Sequence, residues 1–556
     1  MTESLDRRAP AGLAARLTAV AVALLALFAT VLLPAAPASA HAVLVSSTPR
    51  VGAVLPTAPS QVLLEFSEPV SLVADKVRVL GPDGKRADAG NSRSDGARVA
   101  IPLNPNGPQG TYLVSFRIIS ADGHPVPGGF VYSVGAPSAN PPTLADVEDP
   151  VDPVAQGVMS AIKFLGYAGL LVVVGAVMVL GMLWPRRLDR RPVVRLAWVG
   201  LGVIALSAVL ALLAQAPYSA GRGMLNITAT DLRQVLASDM GTGHLIRLGV
   251  LAACAFLLPP VLAGRAGKLD VIPLALLATV GVATWPLAGH PVASPVPALS
   301  VVVDAFHVVG MAVWLGGLFM LLVFLLPRAN DEELGAILPV WSRWAVLAVA
   351  AILLSGTVQV LVEVGTVDGL LTTRYGALVL VKIGLLAVVV AAATYARKLT
   401  ERPETTTRPG RLRQVVAVEL AVTTVILAVS AVLGQTPPAR SATAAAQQAS
   451  GPFSTTVTTS LYTLQVELSP GGIGMNEMHA YAYTPAGRPQ PVVEWRASAT
   501  LAAAGVEAVT IPLVKLADNH ATGQFVAPTA GQWQLRFGVR TSDVDEASVT
   551  VTVPIS

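Results

Sequence analysis

Eight apolar stretches between residues 158 and 434 constrain the fold of this chain more than any other feature. Each is close to the ~20 residues that an α-helix needs to cross a bilayer. Charged residues make up only 13% of the chain, against roughly 25% in soluble proteins. We therefore predict a polytopic helical membrane domain with spans at residues 158–184, 193–215, 244–264, 270–289, 297–326, 335–362, 375–397 and 412–434.

The charges of the connecting loops predict the orientation of these spans. The loops after the first, third and seventh stretches are basic: PRRLDRRPVVR, GRAGKLD and ARKLTERPETTTRPGRLR. Basic loops remain on the cytoplasmic side of a membrane. The loop after the fifth stretch, PRANDEELG, does not discriminate. Because the number of spans is even, both flanking regions are expected outside the cytoplasm.

The first forty residues have the organisation of a secretory signal peptide. Three arginines precede the apolar segment 17–33, and a small-x-small cleavage site ends at Ala40. Cleavage there makes His41 the first residue of the mature chain, and an uncleaved anchor helix is the alternative. A signal peptide requires an external N-terminal region, which agrees with the loop charges.

Two β-rich regions flank the predicted membrane domain. Short runs rich in β-branched and aromatic residues, separated by Gly, Pro and Asp, predict a β-sandwich over residues 41–135 and another over 453–556. Low-complexity linkers at 136–157 and 435–452 join them to the membrane domain. The predicted fold class is mixed: after a signal peptide at 1–40, an extracytoplasmic β-sandwich, an α-helical bundle of eight helices and a second extracytoplasmic β-sandwich.

The positions of the histidines in the N-terminal region indicate metal binding. After cleavage, His41 would offer a free α-amine and its own imidazole, and nitrogen-rich sets suit Cu(II). His124 lies in SADGHPVPGG with Asp122 two residues earlier, so both side chains can project from one face of a strand end. These groups would complete a four-donor Cu(II) site, and an exposed histidine in a turn is the alternative. The single Cys254 excludes disulfides within the chain and cysteine-based zinc sites.

Motifs in two regions carry a family resemblance. HAVLVSSTPRVGAVLP, LLEFSEPV and SADGHPVPGGFVYSVG, in that order, resemble the periplasmic copper-resistance protein CopC over residues 41–135. The resemblance implies a Cu(II) site at His41, Asp122 and His124. Some CopC proteins also carry a Met-rich Cu(I) site, which is not expected here because residues 41–158 contain no Met. DAFHVVGMAVWLGGLF, TTRYGALVLVKIGLL and the Arg-rich loop before VVAVELAV resemble the membrane protein CopD, so the chain resembles a CopC–CopD fusion.

Polar groups at membrane depth are costly and are usually functional. Asp304, His307, Met311 and Trp314 recur at helical spacing in the fifth stretch. Methionine favours Cu(I), and histidine accepts either oxidation state. We predict a path of copper donors from the outer surface to the middle of the membrane, formed by His307, Met311, His290, Glu419, His244 and Met240. In the alternative interpretation, His307 and Glu419 only bond neighbouring helices.

The C-terminal region contains four candidate copper donors on two segments that can meet in a sandwich. GGIGMNEMHAYAY supplies Met475, Met478 and His479, and LADNHATGQF supplies His520. The pattern of this region, with G-x-N and a later G-x-W-x-L, resembles the YtkA-like extracytoplasmic domain. A structural domain, or one that docks a partner, is the alternative.

These features predict copper binding outside the cell membrane and copper import across it. The chain has no Walker motif and no phosphorylation segment, so ATP-driven pumping is not expected. The alternative is a non-transporting sequestration or metallation factor that delivers copper to extracytoplasmic enzymes. A membrane oxidoreductase would need paired haem histidines, which the spacing does not show, so we do not predict an enzyme. The expected partners are copper ions, membrane lipid and an extracytoplasmic copper chaperone or reductase, and no nucleic acid.

Overall fold

A computed structural model describes residues 42–136, 138, 142, 153–221, 223–400, 409–443, 453–469, 471–472, 474–485, 487–501 and 506–555 of the 556-residue chain. The predicted signal peptide, His41 and parts of both predicted linkers lie outside these residues. Along the described chain, a β-domain is followed by a helical domain and a second β-domain. This order confirms the predicted fold class.

Two packed sheets form the N-terminal domain within its described residues. In Gln61–Phe66 alternate side chains are buried, which is the period-two pattern of a strand with one face on a core. The strands are β1 Leu44–Thr48, β2 Val54–Leu55, β3 Gln61–Phe66, β4 Ser71–Leu80, β5 Arg93–Asp95, β6 Arg98–Pro102, β7 Gly110–Ile119 and β8 Pro125–Val134. Their orders are β1-β3-β6-β5 and β2-β8-β7-β4. One apolar core contains residues of both sheets, including Leu64 and Tyr132.

Eight helices in the described part of the chain are long and apolar enough to cross a membrane. Each coincides with one predicted span, which confirms the eight predicted long apolar helices. The helices are α1 Pro153–Met182, α2 Arg191–Ala220, α3 Ala229–Ala237, α4 Asp239–Leu262, α5 Lys268–Ala283, α6 Pro297–Met320, α7 Asp331–Glu363, α8 Val367–Thr372, α9 Arg374–Thr400 and α10 Pro409–Leu433. The short α3 and α8 are not spans, and 3₁₀ turns at Pro286–Ala288 and His290–Ala293 follow α5.

Glycines allow α1 and α6 to pack closely. A Cβ atom at Gly175 would lie 2.5 Å from the carbonyl carbon of Gly316. Small residues of this kind let membrane helices approach backbone to backbone. Lys163 of α1 and His307 of α6 line one cavity.

The two ends of the helical bundle differ in their loops. At one end Arg187, just after α1, donates to Glu333 at 2.8 Å, and Arg190 donates to the carbonyl oxygen of Leu262. At the other end Arg440, in the segment after α10, lies 3.2 Å from Glu363 at the end of α7. The predicted linker 435–452 therefore begins with residues that pack on the membrane domain.

The C-terminal domain also contains two sheets within its described residues. Its strands are β9 Phe453–Thr458, β10 Thr463–Ser469, β11 Gly474–Tyr483, β12 Glu494–Leu501, β13 Val506–Ile511, β14 Leu513–Ala517, β15 His520–Ala527, β16 Gly531–Arg540 and β17 Glu546–Ile555. The orders are β14-β15-β11-β10-β9 and β13-β12-β16-β17. Trp533 and Phe537 are fully buried in a core formed by residues of both sheets. The domain touches the N-terminal domain, because a Cβ at Gly52 would lie 3.0 Å from Glu467 Oε1.

Candidate metal centre

The turn between β7 and β8 orients the predicted metal ligands Asp122 and His124. The backbone N–H of Ser120 donates to the carbonyl oxygen of His124 at 3.0 Å, which closes the turn. Asp122 Oδ1 accepts from the Ser120 hydroxyl and from the His124 backbone N–H. Gly123 has a φ of +85°, a left-handed conformation that glycine adopts without strain. A Cβ at Gly123 would also lie 2.9 Å from Met240 Sδ, so the turn fits closely against α4.

Asp122 and His124 meet a third residue, His290, which belongs to the membrane domain. Asp122 Oδ2 lies 2.9 Å from His290 Nδ1, and Asp122 Oδ1 lies 3.1 Å from His124 Nδ1. The two imidazole rings stack with centroids 5.1 Å apart. One ligand atom from each of the three residues lies within 4.8 Å of the others, and all three side chains are buried. Two imidazoles and a carboxylate form a donor set that suits copper and zinc.

Glu68, from the F-S-E-P-V motif, is a buried carboxyl close to this cluster. Burial raises the pKa of Glu68 to about 8, and the negative charge of Asp122 adds to this shift. Neither carboxylate oxygen of Glu68 has a hydrogen-bond partner among the described residues. Glu68 thus adds a second buried carboxyl group beside the metal turn, residues 120–124, and the predicted ligand His41 lies outside the described residues.

Sequence patterns place His290 on the predicted membrane path and do not join it to Asp122. The two residues are 168 positions apart, so no local spacing connects them. His290 is the first residue of the 3₁₀ turn His290–Ala293, which lies just after the fourth span. Gly289 precedes it and Pro291 follows it. The one sequence feature that could have indicated the contact is the predicted topology, because this loop is expected on the same side of the membrane as the N-terminal domain.

Two buried polar side chains dock the N-terminal domain on α2. Arg117 of β7 donates to the carbonyl oxygens of Ser219 at 2.8 Å and Tyr218 at 3.2 Å. Gln215 donates to the carbonyl oxygen of Gly123 at 2.7 Å. These bonds hold the metal turn against the membrane domain and so position Asp122 beside His290.

We expect Arg117→Ala to loosen this docking. The change would leave the buried carbonyls of Ser219 and Tyr218 without this donor, which costs about 1–3 kcal/mol. Backbone amides of the turn 120–124 should then exchange with solvent at least about tenfold faster. Arg98→Ala is the matched control, since Arg98 is exposed and pairs with Glu65 on the same domain, and exposed pairs contribute little. Equal exchange rates in both variants would contradict the docking role.

A cavity of about 150 Å³ lies inside the helical bundle, and His290 contributes to its wall. Asp304, His307, Met311 and Trp314, the helical face noted in the sequence, also line it. Lys163 and Lys382 add two amine groups to its wall. The structure therefore brings three of the six predicted path residues, His290, His307 and Met311, to one cavity.

Hydrogen-bond partners hold His307 in place within this cavity. Its Nδ1 lies 3.0 Å from the Ser355 hydroxyl of α7, and its Nε2 lies 3.4 Å from Lys382 Nζ of α9. One turn earlier on α6, Asp304 accepts from Gln359 at 3.0 Å. Lys382 therefore places its amine group against the nitrogen that would bind a metal ion.

Met240, His244 and Glu419 do not line this cavity. Met240 packs against Gly123 of the metal turn. His244 lines a separate, smaller cavity of about 50 Å³ together with Met240. Glu419 is buried near Trp314. Met240 is therefore a neighbour of the metal turn, residues 120–124, and does not line the cavity that contains His307.

The C-terminal donors separate into two groups. His479 Nδ1 lies 3.0 Å from His520 Nε2. Met478 is fully buried in the core of the domain, and Met475 is 64% exposed. The structure therefore brings the two histidines together and leaves both methionines apart from them.

Three family descriptions match separate parts of the chain. Residues 44–135 match the CopC domain, residues 154–295 match the copper resistance protein D-like N-terminal domain, and residues 335–433 match copper resistance protein D. Asp122 and His124 fall in the first match, and His290 falls in the second.

Individual proteins are also similar to parts of this chain. Copper transport protein CutJ of Bacillus subtilis (strain 168) is 26% identical over 397 residues, which cover 69% of this chain and 72% of CutJ. Protein YobA of Escherichia coli (strain K12) is 32% identical over 98 residues, 17% of this chain and 79% of YobA. A crystal structure of CopC from Methylosinus trichosporium OB3b is 25% identical and covers 18% of this chain and 98% of that chain, with a TM-score of 0.16. The match to CutJ is longer than any one domain of this chain.

Proposed function

The chain belongs to the copper-resistance family, with a CopC domain joined to a CopD membrane domain, and on this premise we propose that it captures copper outside the cell membrane and carries it inward. One observation supports the transfer step above all. His290 contacts Asp122 of the CopC domain at 2.9 Å and also lines the cavity that contains His307. A ligand shared by the capture site and the cavity gives the ion a route that avoids bulk solvent.

The proposed direction follows from the ends of the bundle. At the end of the bundle opposite His290, the basic loop after α1 contacts the last residue of α4 and the first turn of α7, and basic loops favour the cytoplasmic side. The CopC domain and the segment around Arg440 then lie on the external side, because both are near the His290 end. Copper that enters at Asp122 would leave towards the cytoplasm.

In the capture step, Asp122 and His124 bind Cu(II) together with the amine and imidazole of His41. Asp122 also holds the His290 ring through Nδ1, and carboxylate partners of this kind orient a histidine for metal binding. Movement of the ion from His124 to His290 would exchange one imidazole for another, which keeps its coordination chemistry similar.

In the second step, His307 and Met311 receive the ion inside the cavity. The Lys382 amine lies 3.4 Å from His307 Nε2, so copper binding at this nitrogen requires the amine to withdraw. Asp304, one turn away on α6, supplies a compensating negative charge at the same cavity. Lys382 would thus act as a tethered cation that occupies the inner site between passages of copper.

Electron paramagnetic resonance of the full-length protein loaded with one equivalent of Cu(II) tests the capture site. We expect a nitrogen-rich tetragonal signal from the wild type. Asp122→Ala should lose or shift this signal, because it removes a ligand and the residue that orients both histidines. Asp95→Ala is the matched control, since Asp95 is an exposed carboxylate on the same domain. An unchanged signal in Asp122→Ala would refute the assignment.

A second measurement tests the part played by His41. A variant that keeps one extra residue before His41 places the free amine on that residue. We expect its Cu(II) signal to shift or disappear, because the amine and the imidazole no longer belong to one residue. The same signal as in the mature protein would remove the amine from the ligand set.

A further inference from the structure

Two histidines meet on the outer face of the five-stranded sheet of the C-terminal domain. Tyr481 of β11 is the register partner of His520 of β15, and His479 is the partner of Thr522. His479 and His520 are therefore diagonal neighbours, and His479 Nδ1 lies 3.0 Å from His520 Nε2. Because side chains alternate along a strand, His479 projects away from the core that Met478 fills.

Glu477 determines which nitrogen of His479 faces its partner. Glu477 Oε1 lies 3.3 Å from His479 Nε2, so Nε2 donates to the carboxylate and Nδ1 turns its lone pair towards His520. A carboxylate on the far nitrogen is the usual partner of a metal-binding histidine. Tyr481 stacks on the His520 ring with centroids 4.1 Å apart and an interplanar angle of 14°, which fixes the second ring.

The spacing of the two nitrogens fits a bound cation after a small adjustment. Two imidazole nitrogens that face each other require a proton or a cation between them. Metal–imidazole bonds are about 2.0–2.1 Å long, so a linear site needs the nitrogens about 4 Å apart. An opening of about 1 Å is available to side chains that are only partly buried, as both rings are.

The number of donors favours one oxidation state of copper. Imidazole binds copper readily, but Cu(II) requires three or four donors in a tetragonal set. Within the described part of the chain, no further histidine, cysteine or carboxylate completes a three-donor set with this pair. Cu(I) is satisfied by two collinear nitrogens, so the pair suits the reduced ion.

We propose that His479 and His520 form a second copper site of this protein, two-coordinate and selective for Cu(I). Glu477 is its positioning residue, and Met475 and Met478 take no part in it. The site is separate from Asp122 and does not require passage of copper through the membrane, so it goes beyond the transport proposed above.

Titration of the full-length protein with Cu(I) in competition with a chromogenic Cu(I) chelator tests this proposal. His479→Ala and His520→Ala should each lose one equivalent of tightly bound Cu(I). Glu477→Gln should keep the equivalent but bind it roughly 10–100-fold more weakly. Met475→Leu is the matched control on the same strand and face, and it should bind as the wild type does. X-ray absorption should show a Cu(I) edge with two short nitrogen neighbours that are lost in His520→Ala.

Two further variants keep the test decisive. His520→Gln preserves the size and hydrogen bonding of the side chain if the alanine variant fails to fold, and it should lose the same equivalent. Asp122→Ala should leave this Cu(I) equivalent in place, which separates the site from the capture site. Undiminished Cu(I) stoichiometry and affinity in both His520 variants would overturn the proposal, and the pair would then only share a proton.

Discussion

Replacing His290 by alanine should stop copper transfer while the CopC domain still binds copper. In liposomes that contain the purified protein, we expect the rate of copper entry to fall at least about tenfold, which corresponds to about 1.4 kcal/mol. The reason is that His290 is the residue that touches Asp122 and also lines the cavity of the membrane domain. His124, Asp122 and the amine of His41 remain, so the Cu(II) signal should persist in altered form.

Val292→Ala is the matched control for this experiment. Val292 lies in the same 3₁₀ turn as His290 but offers no metal donor, so its truncation should leave the rate of copper entry near that of the wild type. Copper entry into liposomes can be measured by mass spectrometry after external copper is removed with a chelator. A wild-type rate in His290→Ala would show that the ion does not pass through this residue.

Replacing His307 should have an effect of similar size at a later step. We expect His307→Ala to abolish copper entry and to leave the Cu(II) signal of the capture site unchanged, because His307 contributes to the inner cavity and not to the Asp122 cluster. Loss of the imidazole removes the nitrogen that faces Lys382. His307→Gln retains a side chain that can hydrogen-bond Ser355 and Lys382. It should be equally inactive, because the proposed role of His307 is to bind the metal ion.

His244→Ala provides the comparison that this prediction needs. His244 is also a buried histidine of the membrane domain, but it lines a separate cavity of about 50 Å³. Its removal should therefore reduce copper entry much less than removal of His307. Full activity of His307→Gln, or equal losses in the His244 and His307 variants, would contradict the assigned path.

The membrane domain was predictable from sequence because a span of ~20 apolar residues is a local signal. The short helix α3 was not predicted, although Thr228 caps it by accepting from the Asp231 backbone N–H, and a capping threonine is also a local signal. The separation of Met478 from His479 was also predictable from the sequence. Adjacent residues of a strand point to opposite faces, so these two could not both face one ligand.

The contact between His290 and Asp122 was not predictable in the same way. It depends on how the CopC domain docks, and the docking rests on bonds such as that from Arg117 to Ser219. These residues are 102 positions apart, and neither belongs to a motif that sequence alone would single out. Sequence patterns therefore single out residues in both halves of the proposed copper route, and the tertiary structure brings Asp122, His290 and the cavity of His307 together.

Copper in the cytoplasmic fraction of cells that express the protein, measured by mass spectrometry, tests inward transport most directly. Cells with the wild type should accumulate more copper in the cytoplasmic fraction than cells without the protein. Asp122→Ala and His307→Ala should both return this copper to the level without the protein, although only the first changes the Cu(II) signal. If the wild type and both variants give equal cytoplasmic copper, the protein sequesters or delivers copper outside the membrane, and the transport account is wrong.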